Sequence, residues 1–174
     1  MYTYLVKSTA KYGIYLGLFL CFFTLFMWLS GLDTTHYHIG KKIELGISIV
    51  PIGFILFAIY KMNNEVELTI LKRIVIGLTV GLVSIGISAP FIEIYHQFIN
   101  PDWFEAVLRI NEQQMEASGA TQSEISARLE QLQANNTPLN ALVSALLSGG
   151  IIFPAIVSLA SLLFILSTKN AEQN

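Results

Sequence analysis

The sequence contains a single cysteine, Cys21, and few charged residues. One thiol excludes an intramolecular disulfide and a metal site built from cysteines. Charged residues account for 13% of the 174 positions, whereas an average soluble domain has about 25%. So few charges cannot cover a surface that faces water, which argues against a soluble globular enzyme. The formal net charge of −2 gives no general attraction for nucleic acid.

Catalytic motifs are also missing from the sequence. It has no G-x-S-x-G, no phosphate-binding loop, no H-E-x-x-H and no dinucleotide fingerprint. Cys21 falls inside an apolar run, where a thiol is inert. His36 and His38 are close together near Asp33, but zinc requires three or four ligands, so we interpret this stretch as a solvent-exposed loop. We therefore predict no enzymatic activity, no catalytic residue, no cofactor and no bound metal.

Hydrophobic residues make up 53% of the chain and gather in four runs that charged residues separate. About 20 mainly apolar residues in a helix cross the hydrocarbon core of a bilayer. Within a bilayer only helices and closed barrels satisfy their backbone groups, and these runs lack the alternation of barrel strands. We predict an all-α fold in one membrane domain, residues 1–174. It is a four-transmembrane-helix bundle with spans near 12–32, 43–62, 73–95 and 139–167.

Positive charge predicts the orientation of this bundle. With four spans both termini share one side, which receives six Lys and Arg residues against four on the other side. The positive-inside rule then places the N- and C-termini in the cytoplasm. The first apolar run exceeds the roughly 7–15 residues of a secretory signal core, so we interpret it as a span that is kept.

Residues 100–137 separate the last two spans, and we predict a periplasmic, extramembrane helical hairpin there. Asn100 provides a capping side chain ahead of Pro101, and Thr121 and Glu124 form a capping box for a second helix. Two basic and six acidic residues give the segment a net charge of −4, which disfavours contact with anionic lipid. It is either a solvated cap or a docking surface for a partner protein. The candidate docking face contains Trp103, Phe104, Leu108, Met115, Ile125, Leu129 and Leu132.

Glycines spaced four residues apart mark candidate helix-packing faces. Gly13 and Gly17 form one pair, and Gly77 and Gly81 form another. Small residues at this spacing let two membrane helices approach closely. The faces therefore serve packing within the bundle or, alternatively, self-association between chains.

Glu93 and His96 form the candidate functional polar pair. They are three residues apart near the end of the third span, so a continuous helix places them on one face. An ionisable residue within a membrane span is a functional hypothesis by default. Three interpretations stay open: a pair in the headgroup region that positions the hairpin, a proton or ion site, and half of a metal site.

The run from Tyr95 to Phe104, leading into a hairpin rich in Glu, Gln and Met, resembles a bacterial membrane-protein family called domain of unknown function 4199. The likeness extends to Tyr12-Gly13, to the glycines of the third span (Gly77, Gly81 and Gly86) and to the fourth span that Pro138 opens. The resemblance implies a four-helix protein of the bacterial inner membrane. It implies no activity, and no functional residue is carried over from it.

These observations predict a non-enzymatic component of a bacterial inner (cytoplasmic) membrane, with a structural, accessory or protein-interaction role. Its expected partners are the lipid bilayer and another membrane protein or a second copy of the chain, and no nucleic acid. The alternative function is a small proton- or ion-linked transporter or channel that uses Glu93 and His96.

Overall fold

A computed structural model describes the backbone of residues 2–171 and the side chains of residues 2–163. The described chain is helical and contains no strand, which confirms the predicted fold class. The helices are α1 (Tyr2–Leu29), α2 (Tyr37–Ile47), α3 (Val50–Asn63), α4 (Ile70–Ile94), α5 (Trp103–Ala117), α6 (Gln122–Asn135), α7 (Pro138–Ser144) and α8 (Phe153–Ala171). A first π-helical turn, Tyr95–Ile99, continues α4, and a second π-helical segment, Ala145–Ile152, joins α7 to α8.

Four helical segments are long and apolar enough to cross a membrane: Tyr2–Leu29, Tyr37–Asn63, Ile70–Ile99 and Pro138–Leu163. The number of spans matches the prediction, but the first helix begins ten residues before the predicted position 12. The helix begins earlier because the two lysines near its start do not interrupt it. Lys7 and Lys11 are exposed on α1, where long side chains can keep their ammonium groups in water while the backbone stays helical.

The second and fourth spans are each built from two pieces. The second breaks after Ile47, and Pro51 lies in the first turn of α3, where the missing N–H of proline costs nothing. In the fourth span, Pro154 follows the second π-helical segment. Proline cannot donate to the carbonyl four residues earlier and its ring crowds that carbonyl, so a wider turn before Pro154 relieves the conflict.

The half of the bundle next to the chain termini is closely packed. We call it the termini-side half; it contains the start of α1, the end of α3, the start of α4 and α8. Its buried core joins residues of all four helices. These residues are Leu5, Leu16, Ile55, Ala58, Ile59, Met62, Leu68, Ile76, Val80 and Val157.

The predicted helix-packing glycines lie at two helix contacts on α4. A Cβ at Gly13 would lie 2.7 Å from Val83 Cβ, and one at Gly17 would lie 2.9 Å from Ser84 O, so α1 packs here against α4. On α4, a Cβ at Gly77 would lie 2.8 Å from Pro154 O, and one at Gly81 would lie 2.9 Å from Gly150 O. Hydrogen at the Cα is the largest substituent that fits at these positions. In the monomer, both glycine pairs are occupied by contacts within the bundle.

The opposite half, which we call the hairpin-side half, is open. Gly40 is the only buried residue of α2, and no residue of α7 is buried. Neither helix is held in the core that unites the termini-side half. A cavity lies between the end of α4, the start of α5 and α7.

Two helices, α5 and α6, fill the predicted hairpin, and Gly119 turns the chain between them with φ +81°. The Thr121 hydroxyl accepts a hydrogen bond from Glu124 N at 3.4 Å, while the Glu124 carboxylate accepts one from Thr121 N at 2.8 Å. This reciprocal bonding at the start of α6 lowers the pKa of the Glu124 carboxyl, chiefly through the backbone N–H of Thr121. The position of this hairpin relative to a membrane stays a prediction.

Candidate functional site

Glu93 lies near the hairpin-side end of α4. Arg73, twenty residues earlier on the same helix, is buried at the termini-side end. At a rise of about 1.5 Å per residue, the two charged positions are about 30 Å apart along the axis. That separation equals the thickness of the hydrocarbon core of a bilayer, about 30 Å. The two charged positions therefore bound a stretch of α4 that is as long as the hydrocarbon core is thick.

The carboxylate of Glu93 is hydrogen-bonded to Gln97 and not to His96. Glu93 Oε1 accepts from Gln97 Nε2 at 2.5 Å. No hydrogen bond or ion pair joins Glu93 to His96 among the described side chains, although both line one cavity, so their joint function stays a prediction. The first π-helical turn begins at Tyr95 and changes which residues follow one another on a face.

His96 is covered by an aromatic ring from the hairpin. The centroids of the His96 and Trp103 rings are 4.4 Å apart, with the planes inclined at 38°. The Nδ1 atom of His96 is buried and has no hydrogen-bond partner among the described residues. The start of α5 is thereby packed directly on the end of the third span.

A cavity of about 900 Å³ adjoins Glu93 and His96. One wall is the end of α4 with Ala89, Pro90 and Ile92; the opposite wall is α7 with Leu139, Ala141 and Leu142. Trp103 and Phe104 from the start of α5 also line it. Glu93 supplies the only carboxylate among the described lining residues, and none of these is a Lys or Arg. The cavity is thus an apolar chamber with one acidic group.

A buried polar cluster lies next to this chamber. The Asp33 carboxylate is 8% exposed and accepts hydrogen bonds at Oδ2 from Tyr95 Oη at 2.5 Å and from Asn100 Nδ2 at 2.9 Å. Asn100 Nδ2 also approaches Tyr95 Oη at 2.8 Å. We call these three residues the Asp33 cluster. It ties the loop after the first span to the end of the third span.

The Asp33 cluster corrects the role predicted for Asn100. Its amide does not cap α5: Asp102 occupies the N-cap position and makes no side-chain capping bond. Asn100 bonds backward to Asp33 instead, because that buried carboxylate needs neutral donors. Sequence reasoning missed the cluster since its members are 62 and 67 residues apart. The one available signal was a charged residue at the boundary of the first apolar run.

The candidate docking face of the hairpin is partly buried within the protein. Ile125 is 2% exposed, and Trp103 and Phe104 line the cavity. The remaining members of the face, Leu108, Met115, Leu129 and Leu132, are half-buried. None of its seven side chains is fully exposed. The docking role of this face stays a prediction.

The two histidines predicted in a loop lie at the start of a helix. His36 is the N-cap residue of α2 and His38 is in its first turn; both are exposed. The predicted exposure is confirmed, whereas the predicted loop is in part the start of a helix. In the part of the chain that the structure describes, no three His, Cys, Asp or Glu side chains come together as a metal site would require.

Arg73 forms a second buried polar group, at the termini-side end of α4. Its guanidinium donates to Asn63 Oδ1 at 3.0 Å and to Ser161 Oγ at 3.5 Å. The side chain is 4% exposed, and no described carboxylate forms an ion pair with it. Arg73 thus links α3, α4 and α8 through neutral partners.

The helices and their composition define a class: a membrane protein with four candidate transmembrane helices and two further helices between the third and fourth. Within that class, residues 11–166 match the family described as "Protein of unknown function (DUF4199)". The chain belongs to this family, as the resemblance indicated. No curated protein and no solved structure matches the chain.

Proposed function

We propose that this protein is a non-enzymatic accessory component of a bacterial inner membrane, which associates with another membrane protein or with a second copy of itself. The observation that supports this function is the unpacked face of the second span. Leu45 and Ile49 are 75% and 66% exposed. A Cβ added at Gly46 or Gly53 would meet no protein atom within 4 Å.

Glycines without a neighbour inside the bundle are informative in a membrane helix. Lipid tails are as apolar as leucine, so helices associate through close packing and not through a hydrophobic driving force. The monomer uses Gly13, Gly17, Gly77 and Gly81 for that purpose. Gly46 and Gly53 offer the same close approach on the outside of the bundle, which suits a helix of another protein.

Disulfide crosslinking in native membranes tests this association. In a Cys21→Ser background, we expect Gly46→Cys or Gly53→Cys to give a crosslinked product after mild oxidation or with a bifunctional maleimide. Leu18→Cys on α1, an exposed position away from the second span, is the control and should give none. Equal crosslinking from all three positions, or none from either glycine position, contradicts the proposal.

The proposed orientation places both termini in the cytoplasm and the hairpin in the periplasm. The excess of Lys and Arg on the side of the termini supports it. Reporter fusions after Met62 should read cytoplasmic, and fusions after Gly119 periplasmic. The reverse pattern overturns the orientation but not the number of spans.

A proton- or ion-linked transporter is the second candidate function. The cavity favours it, since a chamber that holds Glu93 and His96 lies at one end of a bundle whose other end is closed. In liposomes, such a protein dissipates an imposed pH or ion gradient, and Glu93→Gln abolishes the flux while leaving the amount of protein unchanged. Flux that Glu93→Gln leaves intact rejects this use of the residue.

A further inference from the structure

We infer that the cavity at the end of the third span binds an amphiphile with a cationic amine head. The ammonium group pairs with Glu93 and the alkyl body fills the space between α4 and α7. This inference concerns a ligand and does not depend on the proposed association with another protein.

The charge of the cavity selects the head group. Glu93 is the only charged residue in its described lining, and no described Lys, Arg or His forms an ion pair with it. Gln97 occupies Oε1 of the carboxylate, whereas no described group donates to Oε2. Glu93 is half-buried, so its second oxygen is open to a ligand that enters the cavity. An ammonium supplies the missing charge and up to three donors.

The aromatic lining suits the same ligand. Trp103 and Phe104 line the same cavity as Glu93, and the faces of aromatic rings attract cations. An anionic head group would meet the carboxylate without a compensating Lys or Arg. A neutral alcohol would leave the carboxylate uncompensated.

The remaining walls suit an alkyl chain. Pro90 and Ile92 on α4 face Leu139 and Leu142 on α7 across the cavity. Its volume of about 900 Å³ lies at the upper end of the range for sites that bind small organic molecules, about 300–1,000 Å³. The carboxylate is about 30 Å along α4 from Arg73, which places the head group at a membrane boundary and the chain in the apolar layer.

Binding is measured with dodecylamine, which is an ammonium ion at neutral pH, and with dodecanol and dodecanoate as matched probes. The protein carries Trp28→Phe, so that Trp103 is the only tryptophan and its fluorescence reports the cavity. In bilayer discs of phosphatidylcholine, we expect dodecylamine to bind at least tenfold more tightly than either other probe. Equal affinity for dodecylamine and dodecanol overturns the inference.

Two variants locate the effect. Glu93→Gln keeps the shape of the side chain and removes its charge, so it should reduce the affinity for dodecylamine to that for dodecanol. Glu105→Gln removes a carboxylate from an exposed position of α5 outside the cavity and should keep the preference. Loss of the preference in both variants, or in neither, contradicts the assignment to Glu93.

A third variant keeps the test decisive if Glu93→Gln folds poorly. Ala141→Phe leaves the carboxylate in place and fills the cavity from an exposed position of α7. It should weaken the binding of all three probes while the elution volume in gel filtration stays the same. Unchanged binding of dodecylamine to this folded variant places the ligand elsewhere and overturns the inference.

The amine head can belong to a membrane phospholipid or to a free amphiphilic amine. Discs that contain phosphatidylethanolamine distinguish the two sources. If they lower the apparent affinity for dodecylamine at least tenfold in the protein that carries Glu93, the phospholipid competes and is the source. If the affinity stays the same, the site takes a free amphiphilic amine.

Discussion

The two ends of this bundle are built differently. At the termini-side end, four helices share one buried core, and Arg73 donates to neutral partners on α3 and α8. At the hairpin-side end, α2 and α7 contribute almost no buried residues, and an acidic cavity separates α7 from α4. Stability and binding are thus assigned to opposite ends of the same four spans, and variants at each end should have separable effects.

The largest loss of stability is expected from placing a side chain at a glycine contact in the termini-side half. In Gly81→Val, the new side chain overlaps the Pro154 ring and crowds Gly150 O, both of which are rigid. Overpacking of this kind costs about 3 kcal/mol, so the thermal unfolding temperature in detergent should fall sharply. Gly86→Val on the same helix meets no atom within 4 Å of its Cβ and should be nearly neutral. Similar losses in the two variants would remove the distinction between packed and open faces.

A smaller loss is expected from removing the buried guanidinium. Arg73→Ala takes away donors to Asn63 and Ser161 and leaves their oxygens unpaired. Hydrogen bonds from a charged group contribute about 1.5–3 kcal/mol, so we expect a loss of about 2 kcal/mol in the free energy of unfolding. Lys72→Ala, one residue earlier, removes the same charge but only an exposed bond to Glu67 O. Equal losses would assign the effect to charge and not to the buried contacts.

A substitution in the hairpin-side half should lower stability in that half alone. Tyr95→Phe removes one donor from the buried Asp33 carboxylate, which costs about 1.5 kcal/mol for a bond to a charged group. Hydrogen exchange should accelerate around residues 94–100 while the amides of the termini-side core keep their protection. Tyr60→Phe removes an exposed hydroxyl and should change hydrogen exchange in neither region. Acceleration throughout the bundle would show that the two halves unfold as one unit.

The smallest effect concerns the start of α6. The pKa of the Glu124 carboxyl is lowered by the N–H and hydroxyl of Thr121, so the ionised group stabilises the helix above its ordinary pKa. That contribution is lost as the pH falls through the lowered pKa of the folded state. The protection factors of the amides near residue 124, which compare each exchange rate with the intrinsic rate at the same pH, should then fall at acidic pH. Glu124→Gln keeps an acceptor for the capping box and should show no such pH dependence; an equal response in this variant would exclude the carboxyl as the cause.

The features that could be predicted are those encoded locally. The lengths of the four uncharged runs predicted the four spans. The four-residue spacing of Gly13 and Gly17 predicted a packing face, which lies against α4. The Thr121–Glu124 capping box is also local, since its two side chains are three residues apart. In each case, the interaction joins neighbours within a few turns or depends on composition alone.

The remaining features depend on contacts that periodicity does not encode. The start of α1 at Tyr2 was missed because exposed lysines do not interrupt a helix. The first π-helical turn, which contains His96, has no residue signature in the sequence. The Asp33 cluster joins the first connection to the end of the third span. Such pairings emerge only when the helices are arranged in space.

The first π-helical turn also sets the direction in which the chain leaves the third span. A residue inserted into or deleted from a helix rotates everything beyond it by about 100° around the axis, because 3.6 residues complete a turn. Between Tyr95 and Ile99, wider winding accommodates residues that a regular helix would distribute differently. Deleting one residue of this turn, for example Gln97, would therefore change the direction in which the chain leaves the third span toward Trp103 and the hairpin. The winding of this turn therefore affects where the segment between the third and fourth spans begins.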